Sequence, residues 1–70
     1  MKYKVIDDYD YDYEVIACCN TEKEVENAIK QRVDDTDGEC YIIVTKIDDF
    51  GYYRPLPLEK FGFINGKKGR

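Results

Sequence analysis

Apolar and charged side chains alternate over the first nineteen residues of the chain. From position 3 onward the odd positions are mostly tyrosine and valine, whereas the even positions from 8 to 14 hold only carboxylates. A period of two predicts β-structure, because successive side chains of a strand point to opposite faces. One strand of that length would be unusual, and aspartate favours turns by bonding its own backbone. We therefore expect a turn near Asp7–Asp10 between strands near 2–6 and 11–19.

The following segment has the pattern of an amphipathic helix. Thr21 and Glu24 have the spacing of a capping box, which marks the start of a helix. Apolar residues then recur at helical spacing along one face: Val25, Ala28, Ile29 and Val33. The acidic run that begins at Asp34 and ends at Gly38 predicts that the helix stops before residue 34.

The third part of the chain predicts a hairpin. Residues 40–47 are rich in β-branched side chains and are apolar on both faces, which indicates a central strand. Residues 48–51 (Asp-Asp-Phe-Gly) are typical of a turn, and residues 52–54 return as a short strand. Pro55 and Pro57 end regular pairing or confine it to a sheet edge.

These elements predict an α+β fold in the order β-β-α-β-β. One helix would pack on a mainly antiparallel sheet of three or four strands, with residues 1–64 as a single domain. Residues 65–70 are expected to form a flexible basic tail.

Composition adds expectations about location and chemistry. No apolar run approaches the ~20 residues that cross a bilayer, and the acidic N-terminal segment is unlike a signal peptide. We therefore expect a cytoplasmic protein without a membrane partner. The three cysteines, Cys18, Cys19 and Cys40, form an odd set with an adjacent pair, which indicates free thiols and not disulfides.

The chain has no histidine and no serine, which excludes a Ser-His-Asp triad and a Cys-His pair. Three cysteines alone are too few for a typical zinc site. Asp8, Asp10 and Asp12 have the spacing of calcium ligands, but Tyr13 and Cys19 occupy the places of the required glycine and final carboxylate. We expect no enzyme activity, no catalytic residue, no metal and no cofactor.

The charge is unevenly distributed along the chain. Residues 1–58 hold 14 acidic and 7 basic side chains, whereas residues 59–70 hold one acidic and four basic ones. On a continuous strand, Asp8, Asp10, Asp12 and Glu14 would form a row of carboxylates about 6.6 Å apart. That row is about half as dense as the phosphates of one DNA strand, so a nucleic-acid mimic would need a second row. Asp34, Asp35, Asp37 and Glu39, or Asp48 and Asp49, could supply it. The same segment could also be an ordinary half-solvated strand whose carboxylates only keep the protein soluble.

Tyrosine is a frequent anchor in protein interfaces, and this chain has seven. We expect Tyr3, Tyr13 and Tyr41 in the core, and tyrosines near the two turns at the surface. The predicted partner-binding residues are Asp8, Tyr9, Asp10, Tyr11, Asp12, Glu14, Asp34, Asp35, Asp37, Tyr52 and Tyr53.

The C-terminal segment offers an alternative. Residues 60–64 (Lys-Phe-Gly-Phe-Ile) resemble part of the aromatic RNA-stacking motif of RNA-recognition and cold-shock domains, although one glycine after the lysine is missing. With the basic tail, this resemblance implies nucleic-acid contact by Lys60, Phe61, Phe63, Lys67, Lys68 and Arg70.

In composition, the chain is similar to small acidic proteins of phages and mobile elements that block host factors, including anti-CRISPR and anti-restriction inhibitors. The leading hypothesis is a non-enzymatic acidic module that binds a protein with a basic, nucleic-acid-binding surface. The alternatives are direct nucleic-acid binding and a structural or assembly domain. An exposed edge strand could also produce a homodimer.

Overall fold

The computed structural model describes residues 2–65, and these form one four-stranded antiparallel sheet with one α-helix against it. The predicted α+β fold and the order β-β-α-β-β are confirmed. The elements are β1 (Tyr3–Asp7), β2 (Glu14–Cys19), α1 (Glu22–Thr36), β3 (Ile42–Ile47), β4 (Tyr53–Leu56) and a 3-10 helix (Leu58–Phe61).

The strands lie in the order β2-β1-β3-β4, so β1 and β3 are central. The predicted central position of the third strand is confirmed. β4 is an edge strand that contains Pro55, as expected for a residue that cannot donate a ladder hydrogen bond. β1 and β3 run in opposite directions, with Val5 opposite Val44, so the end of β1 lies beside the start of β3.

The core lies between the sheet and α1. Its buried side chains come from alternate strand positions, from one face of the helix and from the 3-10 helix: Tyr3, Val5, Cys19, Val25, Ile29, Cys40, Ile42, Val44 and Phe61. The intervening strand positions form the other side of the sheet, which we call the open face. Lys4, Ile6 and Thr45 lie there, and Ile6 and Thr45 are nevertheless buried.

The helix begins as predicted but ends later. The Thr21 hydroxyl accepts a hydrogen bond from the Glu24 N–H (3.2 Å), and the Glu24 carboxylate accepts one from the Thr21 N–H (3.0 Å). The expected stop before residue 34 is wrong, because α1 continues to Thr36. Aspartates alone do not break a helix. The helix ends where Asp37 becomes left-handed (φ 56°) and the Gly38 N–H bonds the Val33 carbonyl (2.9 Å).

The first hairpin also differs from the expectation. β2 begins at Glu14 and not at residue 11, so the carboxylates at 8, 10 and 12 do not form a row along a strand. Tyr11 (φ 63°) and Tyr13 (φ 50°) adopt left-handed backbone conformations that interrupt the alternation. Tyr13 is consequently exposed and is not a core residue, whereas Tyr3 is buried as expected.

At the C-terminal side, the Asn65 side chain extends the pairing of β3. It accepts a hydrogen bond from the Ile42 N–H (2.8 Å) and donates one to the Ile42 carbonyl (3.0 Å). Asn65 is thus held against the sheet, although the sequence had placed it in the tail. Lys67, Lys68 and Arg70 lie outside the described residues. Between residues 2 and 65, no helix combines the length and the apolar character needed to cross a membrane.

Candidate protein-binding site

One end of the molecule collects most of the predicted partner-binding carboxylates. The connection between β1 and β2 and the C-terminal end of α1 meet there, because Arg32 of the helix bonds both Asp7 and Glu14. We call residues 8–14 and 34–39 together the acidic cap. A depression of about 170 Å³ lies within it and is lined by Asp7, Tyr9, Asp10, Asp12, Glu14, Arg32, Thr36 and Glu39.

Asp7 organises this end from below the surface. Its side chain is only 4% exposed, and its Oδ1 accepts hydrogen bonds from the N–H groups of Tyr41 (3.0 Å) and Tyr9 (3.1 Å). Its Oδ2 accepts a hydrogen bond from Arg32 Nε at 2.7 Å. One carboxylate therefore joins the β1–β2 connection, the helix and the entry to β3.

The ionisation of Asp7 follows from these contacts. Burial pushes its pKa upward, but hydrogen bonds from the Tyr41 N–H, from Arg32 and from the Tyr9 N–H outweigh burial and leave the pKa below its ordinary value. The hydrogen bond to Asp7 is also the main reason that the pKa of Arg32 is raised. Asp7 and Arg32 are accordingly a charged pair at neutral pH.

Glu14 and Asp8 also take part in holding the cap together. The Glu14 carboxylate accepts a hydrogen bond from Arg32 Nη2 (3.1 Å), so part of its charge is compensated. Asp8 Oδ1 accepts one from the Tyr13 N–H (3.1 Å). Asp10, Asp12 and Asp37 of the cap are exposed, as are Asp34, Asp35 and Glu39.

The cap also displays two tyrosine rings. Tyr11 is 77% exposed and Tyr13 is 58% exposed, whereas Tyr9 is half-buried. A left-handed conformation at a non-glycine residue costs of order 1–3 kcal/mol and persists only where its surroundings enforce it. Two hydrogen bonds to Asp8 hold this conformation. The Asp8 carbonyl accepts one from the Tyr11 N–H (3.3 Å), and the Asp8 carboxylate accepts one from the Tyr13 N–H.

The second acidic segment is divided among three sides of the helix end. Glu39 lines the depression of the cap. Asp35 accepts a hydrogen bond from Gln31 (2.9 Å) on the side of β2, and Asp34 borders a groove beside Phe63. The structure therefore brings Glu39 of this segment to the depression of the cap, and the two segments do not form parallel rows.

The other predicted residues lie elsewhere. Asp48, Asp49, Tyr52 and Tyr53 belong to the β3–β4 hairpin, whose turn follows Ile47 at the far end of the sheet. That end also holds the start of β1, since the Ile47 N–H bonds the Lys2 carbonyl (2.9 Å). These residues cannot contribute to the same compact surface as residues 8–14.

The proposed aromatic nucleic-acid contact needs a correction. Phe61 is only 6% exposed and lies in the core, so its ring cannot stack on a base. Phe63 is half-buried against the same core. The Lys60 ammonium pairs with the Glu22 carboxylate at 2.8 Å. Leu58, Phe61 and Phe63 all pack with the core, so the apolar spacing of residues 58–63 marks a core segment.

Sequence reasoning missed Asp7 and Arg32 as the centre of the site. The available signal was Asp7 itself, a carboxylate at an odd position where its neighbours Val5 and Tyr9 are apolar. A charge on the buried face of a strand requires a partner, and Arg32 occupies the helix side that faces β1 and β2. In residues 2–65, no group of acidic residues and cysteines is arranged to hold a metal ion.

Comparisons of the chain with protein-family models, with curated proteins and with solved structures gave no match.

Proposed function

We propose that this protein is a non-enzymatic binding module whose acidic cap occupies the basic site of a nucleic-acid-handling protein and thereby inhibits it. The observation that carries the proposal is a depression lined by carboxylates of two acidic segments, Asp10, Asp12 and Glu14 from 8–14 and Glu39 from 34–39. The first segment also carries the exposed rings of Tyr11 and Tyr13. Segments that are distant in the sequence meet there through Asp7 and Arg32.

The two kinds of side chain have complementary roles in this proposal. The outward carboxylates of Asp10, Asp12 and Asp37 attract a basic surface over a distance and accelerate encounter. Tyr11 and Tyr13 supply apolar contact area with a hydroxyl at the edge, as interface anchors commonly do. Because the backbone of the connection is already ordered by Asp7 and Asp8, little conformational entropy remains to be lost on binding.

The proposal favours a protein partner over a nucleic acid. The cap repels phosphates, and the aromatic residue expected to stack on bases, Phe61, is buried. A basic protein groove that normally holds phosphates offers the charge that the cap requires.

The test uses a variant that removes charge without disturbing the supporting contacts. Asp10→Asn, Asp12→Asn and Asp37→Asn together remove three carboxylates, and asparagine tolerates the left-handed conformation at position 37. The matched control removes three carboxylates away from the cap through Glu26→Gln, Asp49→Asn and Glu59→Gln.

Each tagged protein is used to capture partners from bacterial lysate, in parallel samples with and without nuclease, and duplex DNA is added as a competitor to samples without nuclease. We expect the wild type and the control to retain a basic, nucleic-acid-binding protein that DNA displaces, and the cap variant to lose it. Equal retention by all three proteins would show that the cap is not the binding surface. Recovery of nucleic acid alone, abolished by nuclease, would overturn the proposal in favour of direct nucleic-acid binding.

A further inference from the structure

The two edges of the sheet differ in the charge and proline content that opposes pairing with another strand. β4 has four residues, includes Arg54 and Pro55, and is followed by Pro57. Charge and proline on an edge strand hinder the addition of further strands. β2 has six residues, and its last five are Val-Ile-Ala-Cys-Cys, without proline or charge. Within the described residues, β1 is the strand paired with β2.

A bulge in β2 sets the faces of its side chains. Ala17 lies opposite Val5 of β1, and Val15 lies opposite Ile6, so Ile16 is an extra residue between them. Directly opposite residues of a strand pair share a face of the sheet. Val15 therefore lies on the open face with Ile6, and Ala17 lies on the helix side with Val5.

The bulge makes the side-chain pattern of β2 symmetric about its middle. Cys18 lies opposite Lys4 on the open face, so Val15 and Cys18 share that face although they are three residues apart. Glu14 and Cys19 lie opposite Asp7 and Tyr3, and both are on the helix side. Ile16, like Ala17, packs against the core on the helix side. Read in either direction, the strand therefore presents the same sequence of faces.

We infer that β2 pairs with β2 of a second copy of this chain, antiparallel and about a two-fold axis between Ile16 and Ala17. In this register Val15 lies opposite Cys18 of the second copy, and Glu14 lies opposite its Cys19. Every pair then joins residues of the same face, as strand pairing requires. The product is a continuous eight-stranded sheet with both helices on one side.

The positions of the charged side chains favour a second copy of the chain as the partner of this edge. Antiparallel pairing directs the two acidic caps to opposite ends of the seam, about 20 Å apart for a six-residue strand. The Glu14 end of each copy meets the Cys19 end of the other, where Lys2 lies because its N–H bonds the Cys19 carbonyl (3.0 Å). Parallel pairing would instead place the two caps side by side.

This inference does not rest on the proposed function, and the two can be distinguished by their opposite dependence on salt concentration. Each chain carries a net charge of −4, so dimerisation is opposed by long-range repulsion that salt screens. The dimer should therefore strengthen as salt rises, whereas binding of a basic partner by the cap should weaken.

The first experiment measures association of the full chain by sedimentation equilibrium at low and high salt. Val15→Lys introduces a lysine on the open face of the seam, opposite Cys18 of the second copy, and Phe50→Lys makes the same charge change at an exposed site in the β3–β4 turn. We expect Val15→Lys to raise the dimer dissociation constant by about tenfold or more, because it disturbs two symmetric cross-strand pairs. Phe50→Lys should dimerise like the wild type.

The second experiment tests the register by a disulfide. Directly opposite residues have Cα atoms about 4.5–5.5 Å apart, within the range that a disulfide can bridge. In the Val15→Cys dimer, the new thiol of each copy should form a disulfide with Cys18 of the other copy, which gives two disulfides. Each disulfide forms as its two thiols transfer two electrons and two protons to added oxidised glutathione. In the wild type, the two Cys18 residues would be about 10 Å apart and should not join. Cys19 and Cys40 are buried, and burial raises their pKa values, so they do not compete.

The control for the disulfide is Val15→Cys combined with Cys18→Ser, which should give no covalent dimer. A wild-type chain that remains monomeric at every concentration and salt would overturn the inference. Equal dimerisation of Val15→Lys would do the same, and absence of the Val15→Cys disulfide in a dimeric protein would refute the register and with it the β2 seam.

Discussion

The two hairpin connections of this protein are built on the same device. In each, one aspartate accepts two backbone N–H bonds and one arginine Nε bond: Asp7 with Arg32 at 2.7 Å, and Asp48 with Arg54 at 2.9 Å. The Asp7 side chain is 4% exposed, whereas that of Asp48 is 24% exposed. Arg32 lies 25 residues from its aspartate, and Arg54 lies six residues from its own.

The difference separates a local turn from a tertiary junction. Asp48 orders only its own turn, in which every partner lies within six residues. Asp7 ties together a strand, a helix and a loop, so its removal affects three elements. The same chemistry thus serves a simple hairpin at one end and supports the acidic cap at the other.

The connections also differ in the type of residue that adopts the left-handed backbone conformation. The β3–β4 turn uses Gly51 (φ 87°), for which this conformation has no steric cost. The β1–β2 connection uses Tyr11 and Tyr13 and accepts strain. Exposed side chains that are kept at strained positions are consistent with a role in binding.

The largest effect should come from Asp7→Asn. The amide leaves Arg32 without its buried carboxylate, and hydrogen bonds to charged groups contribute about 1.5–3 kcal/mol each. We expect a loss of about 2–3 kcal/mol in the free energy of unfolding, measured by urea denaturation. Asp48→Asn is the matched control and should lose much less. Equal losses would contradict the distinction between the junction and the turn.

Acid should weaken the junction in a defined direction. Because the folded-state pKa of Asp7 is lowered, its contribution is complete above its unfolded pKa of about 3.9 and is lost as the pH falls through the folded value. Wild-type stability should thus decline below about pH 4, and Asp7→Asn should decline less. The pKa of Asp48 is lowered mainly by its hydrogen bond from the Tyr52 N–H, and that of Glu24 mainly by its bond from the Asn20 N–H. Both carboxylates should therefore leave some pH dependence of stability in Asp7→Asn. The urea midpoint of each protein is measured at pH 7 and at pH 3. An equal fall in the midpoint of wild type and Asp7→Asn would refute this assignment.

A smaller effect on stability should come from replacing the glycine at the left-handed position of the β3–β4 turn. Gly51→Ala places a side chain at φ 87°, where no atom lies within 4 Å of the added carbon, so the cost is conformational and about 1 kcal/mol. Thermal unfolding of the two proteins gives this difference. An unchanged stability would indicate that the turn relaxes.

The smallest effect should have the opposite sign. Tyr11→Gly relieves a left-handed conformation while removing a largely exposed ring, and we expect a gain of about 0.5 kcal/mol. The same variant should bind the partner less tightly, because an anchor is lost. A stability loss above 1 kcal/mol would show that the Tyr11 ring supports the fold.

Local rules predicted the features that depend on neighbouring residues. The Thr21–Glu24 capping box, the Asp48 turn and the edge position of Pro55 were all evident, because the partners lie within a few positions. The helix end was wrong by about three residues, since aspartates do not break a helix and α1 ends only where Asp37 becomes left-handed.

The acidic cap could be predicted only in part. Residues 8–14 and 34–37 were identified by charge, but their meeting at one end depends on the Asp7–Arg32 pair, which spans 25 residues. The interruption of the strand at Tyr11 and Tyr13 had no local signal, because neither residue favours a left-handed conformation. Tyr52 and Tyr53 were grouped with the cap by residue type alone, and the topology places them at the other end.

Amide hydrogen exchange on the complex with the captured partner tests the proposed role of the cap most directly. Binding at the cap predicts slower exchange in residues 8–14 and 34–39 than in the isolated protein, with little change in residues 48–52. Protection confined to residues 48–52, or to the described residues outside the cap, would contradict it.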